Sequence, residues 1–418
     1  INLLNSKSYW QHENNKFEVL NELTLIEELD KRLESIIKKR TISDRKIGAF
    51  LSGGIDSSLI TYYLQKQFSK PIDTFTIGFN DINYDESKNA KEIANFLGTN
   101  HTEAIFTSEN LVNLVKKLPI IWDEPFSDPS QLPTLLLSEI ATKKIKVAFS
   151  GDGGDELFCG YERYNKGYDL YNSFKKSPKY LKHFYKYSLS LIRSEYALSL
   201  SQLLPNKIRP NSLIDRTQKL ERLLEMNQSE DFYSIINTIF DKKDKLLISQ
   251  TIEQPNSFVL SKEFNDYREY MIEKDIAEYL PEDILTKVDR SSMYNGLEVR
   301  VPFLDHEFAS WARNIPIKFK RLDGKGKWPL RNLLGLKIPN NLIQRPKKGF
   351  GIPLNQIVTN NIKDIIYEKL SNKKIKDQGI FNTSHINEIL EKHYSGKGNF
   401  HNQIWNLLIF QLWFDENF

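Results

Sequence analysis

An apolar run from Lys46 to Leu51 stops abruptly at Ser52-Gly53-Gly54, and an apolar-periodic run (Leu59, Ile60, Tyr63, Leu64) begins just after it. This pattern predicts a buried strand, a tight turn and a helix N-terminus. A turn so placed aims unpaired backbone N–H groups and the positive end of a helix dipole at one spot, which suits an anion. The two glycines let the backbone come close to that anion, and the hydroxyls of Ser52, Ser57 and Ser58 add donors. Asp56 runs against this logic, because a carboxylate repels phosphate unless a cation lies between them. Mg²⁺ carried on the phosphates of a nucleotide supplies such a cation. The stretch therefore reads as a nucleotide-phosphate loop with its own metal ligand.

No lysine follows the glycines, so this is not the G-x-x-x-x-G-K-[ST] loop of kinases and GTPases. Ser-Gly-Gly-x-Asp-Ser instead resembles the pyrophosphate loop of enzymes that split ATP between its α- and β-phosphates.

Before the loop, Thr24 and Glu27 fit a capping box, and Leu25, Leu29, Leu33, Ile36 and Ile37 form a helical stripe. After it come a strand at Thr74–Phe79, a helical face (Ala90, Ile93, Ala94, Leu97) closing near Gly98, and a third strand over His101–Phe106. Helices are expected at Leu111–Leu118 and Leu132–Ala141. A short strand, Lys146–Phe149, then runs into Ser150-Gly151-Asp152-Gly153-Gly154-Asp155-Glu156. Strands alternating with helices at this spacing predict an α/β fold, a doubly wound parallel sheet with ligands outside the carboxyl ends of its strands. Both Gly-rich loops follow apolar strands and should meet at one edge. Residues 1–22 read as a linker remnant, and residues 23–418 as one domain. A helical insertion, rich in Tyr, Phe, Lys and Leu, is expected over about 160–260. From Ser261 onward helices should dominate, broken by prolines such as Pro281, with a docked apolar helix at Ile404–Phe414.

Three further clusters carry chemistry. Asp152, Asp155 and Glu156 offer hard oxygen ligands and acid–base groups, so Asp56 and Asp155 together would hold Mg²⁺ and pyrophosphate between the two loops. Lys287-Val288-Asp289-Arg290 and Glu298-Val299-Arg300 through Asp305 suggest a partly buried ion network, as well explained by structure as by function for Arg290, Glu298 and Asp305. In Gly324-Lys325-Gly326-Lys327-Trp328-Pro329-Leu330-Arg331, lysines on a Gly-hinged loop can reach a phosphate as point charges.

Taken in this order, Ser52–Ser57, Thr74–Phe79, Ser150–Tyr161, Lys287–Asp305, Lys327–Arg331 and Arg345–Gly351 resemble the synthetase domain of glutamine-dependent asparagine synthetases. The resemblance implies a pyrophosphate-loop ATP pyrophosphatase fold and a two-step reaction. A carboxylate, aspartate in the best-known members, attacks the α-phosphate of ATP; ammonia then displaces AMP from the acyl-adenylate. The resemblance also assigns residues. Ser52, Gly53, Gly54, Asp56 and Ser57 would hold pyrophosphate and metal, and Phe50, Leu51, Ile77, Ser150 and Gly151 would surround the adenosine. Asp155 would be the second metal-side carboxylate, and Lys327 would stabilise the adenylation transition state. Asp152 stands where some relatives carry a Glu linked to the ammonia step. His101 matches a family position but reads as structural. ATP and Mg²⁺ are the expected cofactors, with a small carboxylic acid and ammonia as the other reactants.

Such enzymes usually carry an N-terminal glutaminase domain that opens on a nucleophilic cysteine. This chain opens on Ile1, and its one cysteine, Cys159, lies in the second loop. A glutaminase partner is thus expected in cis or in trans, and the chain as written should use free ammonia. Three rival readings stay open: the same chemistry on another acid (a sugar acid, or β-lactam closure), a silent interaction module, and a nucleic-acid-modifying relative. The last would favour a basic face and paired cysteines, but 58 basic against 54 acidic residues leave a net charge of only +4. A single cysteine suits a reducing cytoplasm, and no run reaches the ~18 apolar residues of a membrane span. Abundant Asn, Lys and Ile suggest a bacterial source. Oligomeric state is not legible, and a homodimer stays open.

Overall fold

The computed structural model describes residues 21–81, 83–178, 223–224, 232–240, 246–249, 264–343 and 351–418. The linker expected at 1–22 falls outside them except for its last two residues. Most of the insertion expected at 160–260 and all of Arg345–Gly351 except its final glycine also fall outside.

Five strands, β1 (Ile47–Phe50), β2 (Asp73–Phe79), β3 (Asn100–Phe106), β4 (Val147–Phe149) and β5 (Glu298–Arg300), run parallel in one sheet in the order β3-β2-β1-β4-β5. Ala49 of β1 lies opposite Thr74 of β2 on one side and Phe149 of β4 on the other. Central parallel strands are covered on both faces, which is why they read as unbroken apolar runs; every residue of β2 is buried. The edge strand β3 mixes exposed and half-buried residues instead.

After Ser261 helices dominate among the described residues, as expected, and the fifth strand is an addition that the residue pattern did not predict. Glu298-Val299-Arg300 is too short and too charged to show a strand period. It is a strand because β4 offers it an edge: Glu298 N–H donates to the Lys146 carbonyl at 3.0 Å, and Ser150 N–H to the Arg300 carbonyl at 2.9 Å.

From β1 the chain crosses outward to β2 and β3, then returns to place β4 on the other side of β1. Such a reversal opens a crevice outside the carboxyl ends of the two strands that flank it. The two Gly-rich loops leave from those strands, β1 and β4.

The chain divides into two units, the first formed by residues 1–106, Pro133–Tyr164 and 260–350. In its described part the helix Glu22–Arg40 buries Leu25, Leu29, Leu33, Ile36 and Ile37 against the helices Ile55–Lys66 and Trp328–Lys337. This helix starts earlier than the expected Thr24–Glu27 box. Asn21 caps it by accepting the Thr24 N–H at 2.9 Å, and Asn is as good a cap as Thr. The helix Ser87–Leu97 closes at Gly98, whose φ of 70° is left-handed, as expected. Pro281 does not end a helix. It lies inside a wide-turn π-helix, Asp275–Leu285.

The second unit comprises Thr107–Leu132, residues 165–259 and Gly351–Phe418. Its centre is the helix His401–Asn417, which buries Ile404, Trp405, Leu407, Leu408 and Leu412. Trp405 and Trp413 donate their indole N–H groups to the Ser127 carbonyl at 2.7 Å and the Asp123 carbonyl at 2.9 Å. The docked C-terminal helix is thus present, three residues longer at each end than the apolar run. Among the described residues no helix is long and apolar enough to cross a membrane.

Candidate active site

The Leu51 N–H donates to the Phe75 carbonyl at 2.9 Å, carrying the ladder one residue beyond β1, and the backbone then turns at Gly53 with φ 80°. Gly54 caps the helix Ile55–Lys66. The serines hold this turn in shape. Ser57 Oγ accepts the Ser52 N–H at 3.2 Å and lies 3.0 Å from Ser52 Oγ, which accepts the Gly54 N–H at 3.2 Å. Ser58 faces inward: it is buried and donates to the Gly54 carbonyl at 2.6 Å, so it braces the helix start instead of adding a donor for an anion. The second loop lies directly on this helix start. A Cβ on Gly151 would stand 2.8 Å from Ser57 N and 2.9 Å from the Asp56 carbonyl carbon, so a side chain there would push the loops apart.

Over this junction sits Lys327. Its Nζ contacts Asp56 Oδ2 of the first loop and lies 2.8 Å from Asp155 Oδ1 of the second. Lys327 has a left-handed backbone (φ 57°, ψ 31°), caps the helix Trp328–Lys337 and donates its N–H to the Phe158 carbonyl at 2.9 Å. The side chain is 3% exposed. Burial opposes its charge, but Asp155 and Asp56 outweigh burial and raise its pKa, so the amine is an ammonium throughout the neutral range. Of the two lysines on this loop only Lys327 is buried. Lys325 is exposed, with its backbone paired to Leu322.

The fit around Lys327 is tight. A Cβ on Gly160 would come within 2.1 Å of Lys327 Cε and 2.2 Å of Asp155 Oδ1. Gly160→Ala should therefore displace the lysine and lower stability by about 1–3 kcal/mol, the usual range for overpacking. A thermal melt checks this; a midpoint equal to that of the wild type would mean the contact has slack.

The remaining acids behave differently from one another. Asp152 accepts a hydrogen bond from the Ser150 hydroxyl. Burial pushes its carboxyl up, the Ser150 bond and the Lys287 charge pull it back, and Asp56 and Asp155 push it up again. Glu156 is 1% exposed and accepts the Tyr161 hydroxyl at 2.7 Å. Burial pushes its pKa up from 4.5 to about 7, against the Tyr161 bond. A carboxyl with a raised folded pKa holds its proton more tightly in the folded chain. Its contribution to stability is thus most favourable below pH 4.5 and declines as the pH rises to about 7. Glu156→Gln cannot ionise, so melts of metal-free protein at pH 5 and pH 8 should show the variant gaining on wild type at pH 8 by about 2–3 kcal/mol. Parallel pH profiles for the two proteins would contradict this.

Residues 28–415 match the asparagine synthase family. The chain belongs to that family. Over 399 residues it is 29% identical to an asparagine synthetase [glutamine-hydrolyzing] of Bacillus subtilis, covering 94% of this chain and 60% of the relative. It is 25% identical over 404 residues to the asparagine synthetase [glutamine-hydrolyzing] of Mus musculus, covering 89% and 53%. The chain thus spans a little over half the length of these relatives.

Within the asparagine synthase fold, the first-loop residues Ser52, Gly53, Gly54, Asp56 and Ser57 meet Ser150, Gly151, Asp152, Asp155 and Lys327 at the β1–β4 switch point. Phe50 is half-buried at the end of β1, and Ile77 is buried in β2. Leu51 is buried in the core cluster, which leaves only its main chain at the loop. His101 lies in β3 with its Nδ1 3.0 Å from Thr74 Oγ1, and burial lowers its pKa. Asp305 pairs with Arg40 at 3.1 Å and caps the helix His306–Asn314, while Glu298 pairs with Arg300 at 2.6 Å.

Sequence reasoning missed a cluster beside Glu156. The Arg163 guanidinium lies over the Tyr161 ring at 4.3 Å and the Tyr279 ring at 4.4 Å, and donates to Asp275 Oδ2 at 2.7 Å. Tyr164 donates to the same oxygen at 2.8 Å. The alternation Tyr161-x-Arg163-Tyr164 was visible, but Asp275 and Tyr279 lie more than a hundred residues away along the chain. No local period could announce them.

Proposed function

We propose that this chain makes an amide from a carboxylic acid, ATP and ammonia through an acyl-adenylate, with L-aspartate as the acid and asparagine, AMP and pyrophosphate as products. The observation that carries this reading is the Lys327 ammonium between Asp56 and Asp155, over a phosphate loop at the switch point of the sheet. Two carboxylates that already share one cation are a fit donor set for Mg²⁺, which commonly takes one or two carboxylates and completes its shell with phosphate oxygens and water. When bound, Mg²⁺ would neutralise charge on the departing pyrophosphate.

The protein's own residues account for the rest. The turn at Ser52–Gly54 and the N-terminus of the helix Ile55–Lys66 orient the β- and γ-phosphates. Main-chain groups at Phe50, Leu51, Ser150 and Gly151, with Ile77, line the adenosine. The acid's oxygen attacks the α-phosphate, whose growing negative charge the Lys327 ammonium stabilises. In the second step ammonia adds to the acyl carbon and AMP leaves. Asp152, half-buried and with its carboxyl pushed up by desolvation, would serve as the base that takes the proton ammonia sheds. A glutaminase domain, in cis or in trans, would supply ammonia from glutamine.

The test is pyrophosphate release from Mg·ATP with ammonium, across a panel of carboxylic acids headed by L-aspartate, with mass spectrometry of the product. Aspartate-dependent release with asparagine formed supports the full reading. Turnover only on another acid keeps the chemistry and replaces the acceptor. Silence with every acid, with ammonium or with a glutaminase partner added, overturns it.

A further inference from the structure

We infer that Lys327 is a tethered competitor of the divalent cation: its ammonium occupies the oxygens that would bind the metal, so the metal enters on the nucleotide and not before it. This rests on the proposed role of Asp56 and Asp155 as metal ligands. Three observations carry it.

First, one Nζ meets Oδ2 of Asp56 and Oδ1 of Asp155, so the lysine spans the same pair of loops that a bridging dication would span. Second, the lysine cannot withdraw as a unit. Its N–H is bonded to Phe158, its Cε lies against Gly160, and a Cβ on the preceding Gly326 would stand 2.0 Å from the Cys159 carbonyl oxygen. Only the end of the side chain has freedom, and it stays within reach of whatever binds between the carboxylates. Third, among the described residues no group of three or more His, Cys, Asp or Glu side chains converges on one point, so among those residues a bare dication finds no more than this pair of carboxylates.

A bare metal ion must therefore expel an ammonium from both carboxylates, yet leave it nearby, where the two positive charges repel. A metal–nucleotide complex changes that balance, because its phosphate oxygens give the displaced ammonium a new partner. The movement that frees the carboxylates also delivers the lysine to the phosphates. Metal and nucleotide should consequently reinforce each other's binding, with Lys327 as the coupling element.

The experiment measures Mn²⁺ binding to the full chain by electron paramagnetic resonance, without nucleotide and then with ATP. Lys327→Met keeps the apolar stem and removes the charge. Lys327→Gln is the second variant, used if the first lowers the thermal midpoint. Without nucleotide, the neutral variant should bind Mn²⁺ about tenfold or more tightly than wild type, since the Lys327 ammonium no longer holds the two carboxylate oxygens that the metal would take. Adding Asp155→Asn should abolish that gain. With ATP present the difference should shrink. Equal Mn²⁺ affinities without nucleotide, or a gain that survives Asp155→Asn, would overturn the inference. If wild type still releases pyrophosphate, that result overturns the lysine's competing role alone. A wild-type chain that neither binds Mn·ATP nor releases pyrophosphate sinks the functional reading and this inference together.

Discussion

Asp155→Asn should lower pyrophosphate release from Mg·ATP by roughly a thousandfold or more, the scale expected when a charge-stabilising group or metal ligand is lost from a preorganised site. The substitution preserves shape and removes one negative charge. Lys327 then keeps only Asp56, and a dication keeps only one protein carboxylate. Asp56→Asn should act in the same direction, because the two acids serve one cation from opposite loops. The fold should survive both changes, since the switch point is set by the strand order and by the close contact at Gly151. Steady-state pyrophosphate release with a parallel thermal melt checks this. A variant folded like wild type and within tenfold of its rate would remove that carboxylate from the mechanism.

Lys327→Ala should lower kcat by about a hundred- to a thousandfold while leaving KM for Mg·ATP within a few-fold, the signature of an interaction stronger in the transition state than in the ground state. The phosphate loop, which supplies most of the nucleotide contacts in this scheme, is untouched by the change. Lys327→Arg should not restore the rate. The guanidinium is wider and flat, and the space beside the lysine stem is so limited that it admits only a glycine at 160. Initial-rate kinetics on all three proteins decide the matter. A loss confined to KM would mean that Lys327 only binds ground-state phosphate.

Much of this architecture could be read from residue order. Apolar runs, closed by glycine-rich loops after β1 and β4 and by a polar turn after β2, announced these strands to within a residue or so, because a strand covered on both faces reads as largely apolar. The helix stripe at Leu25–Ile37 and the left-handed stop at Gly98 were legible for equally local reasons. Errors came where two local hydrogen-bond partners competed, or where a distant strand edge decided the outcome. Asn21 took the cap from Thr24 by lying one turn earlier, Ser58 turned inward to brace the turn, and Glu298–Arg300 became a strand because β4 had an edge to fill.

By itself, then, the sequence determined the alternating α/β layout, the two glycine-rich loops and the family to which the chain belongs, since each rests on a short-range pattern that survives in a linear string. Tertiary structure alone decided which charges share a point. Asp56 and Lys327 are 271 residues apart, and Arg163 and Asp275 are 112 apart. Their pairing follows from strand order and from glycines that allow backbones to touch. The lysine's buried charge and the near-neutral titration of Glu156 follow in turn from that enclosure. Desolvation and Coulomb terms depend on distance through space, and the chain's order does not encode it.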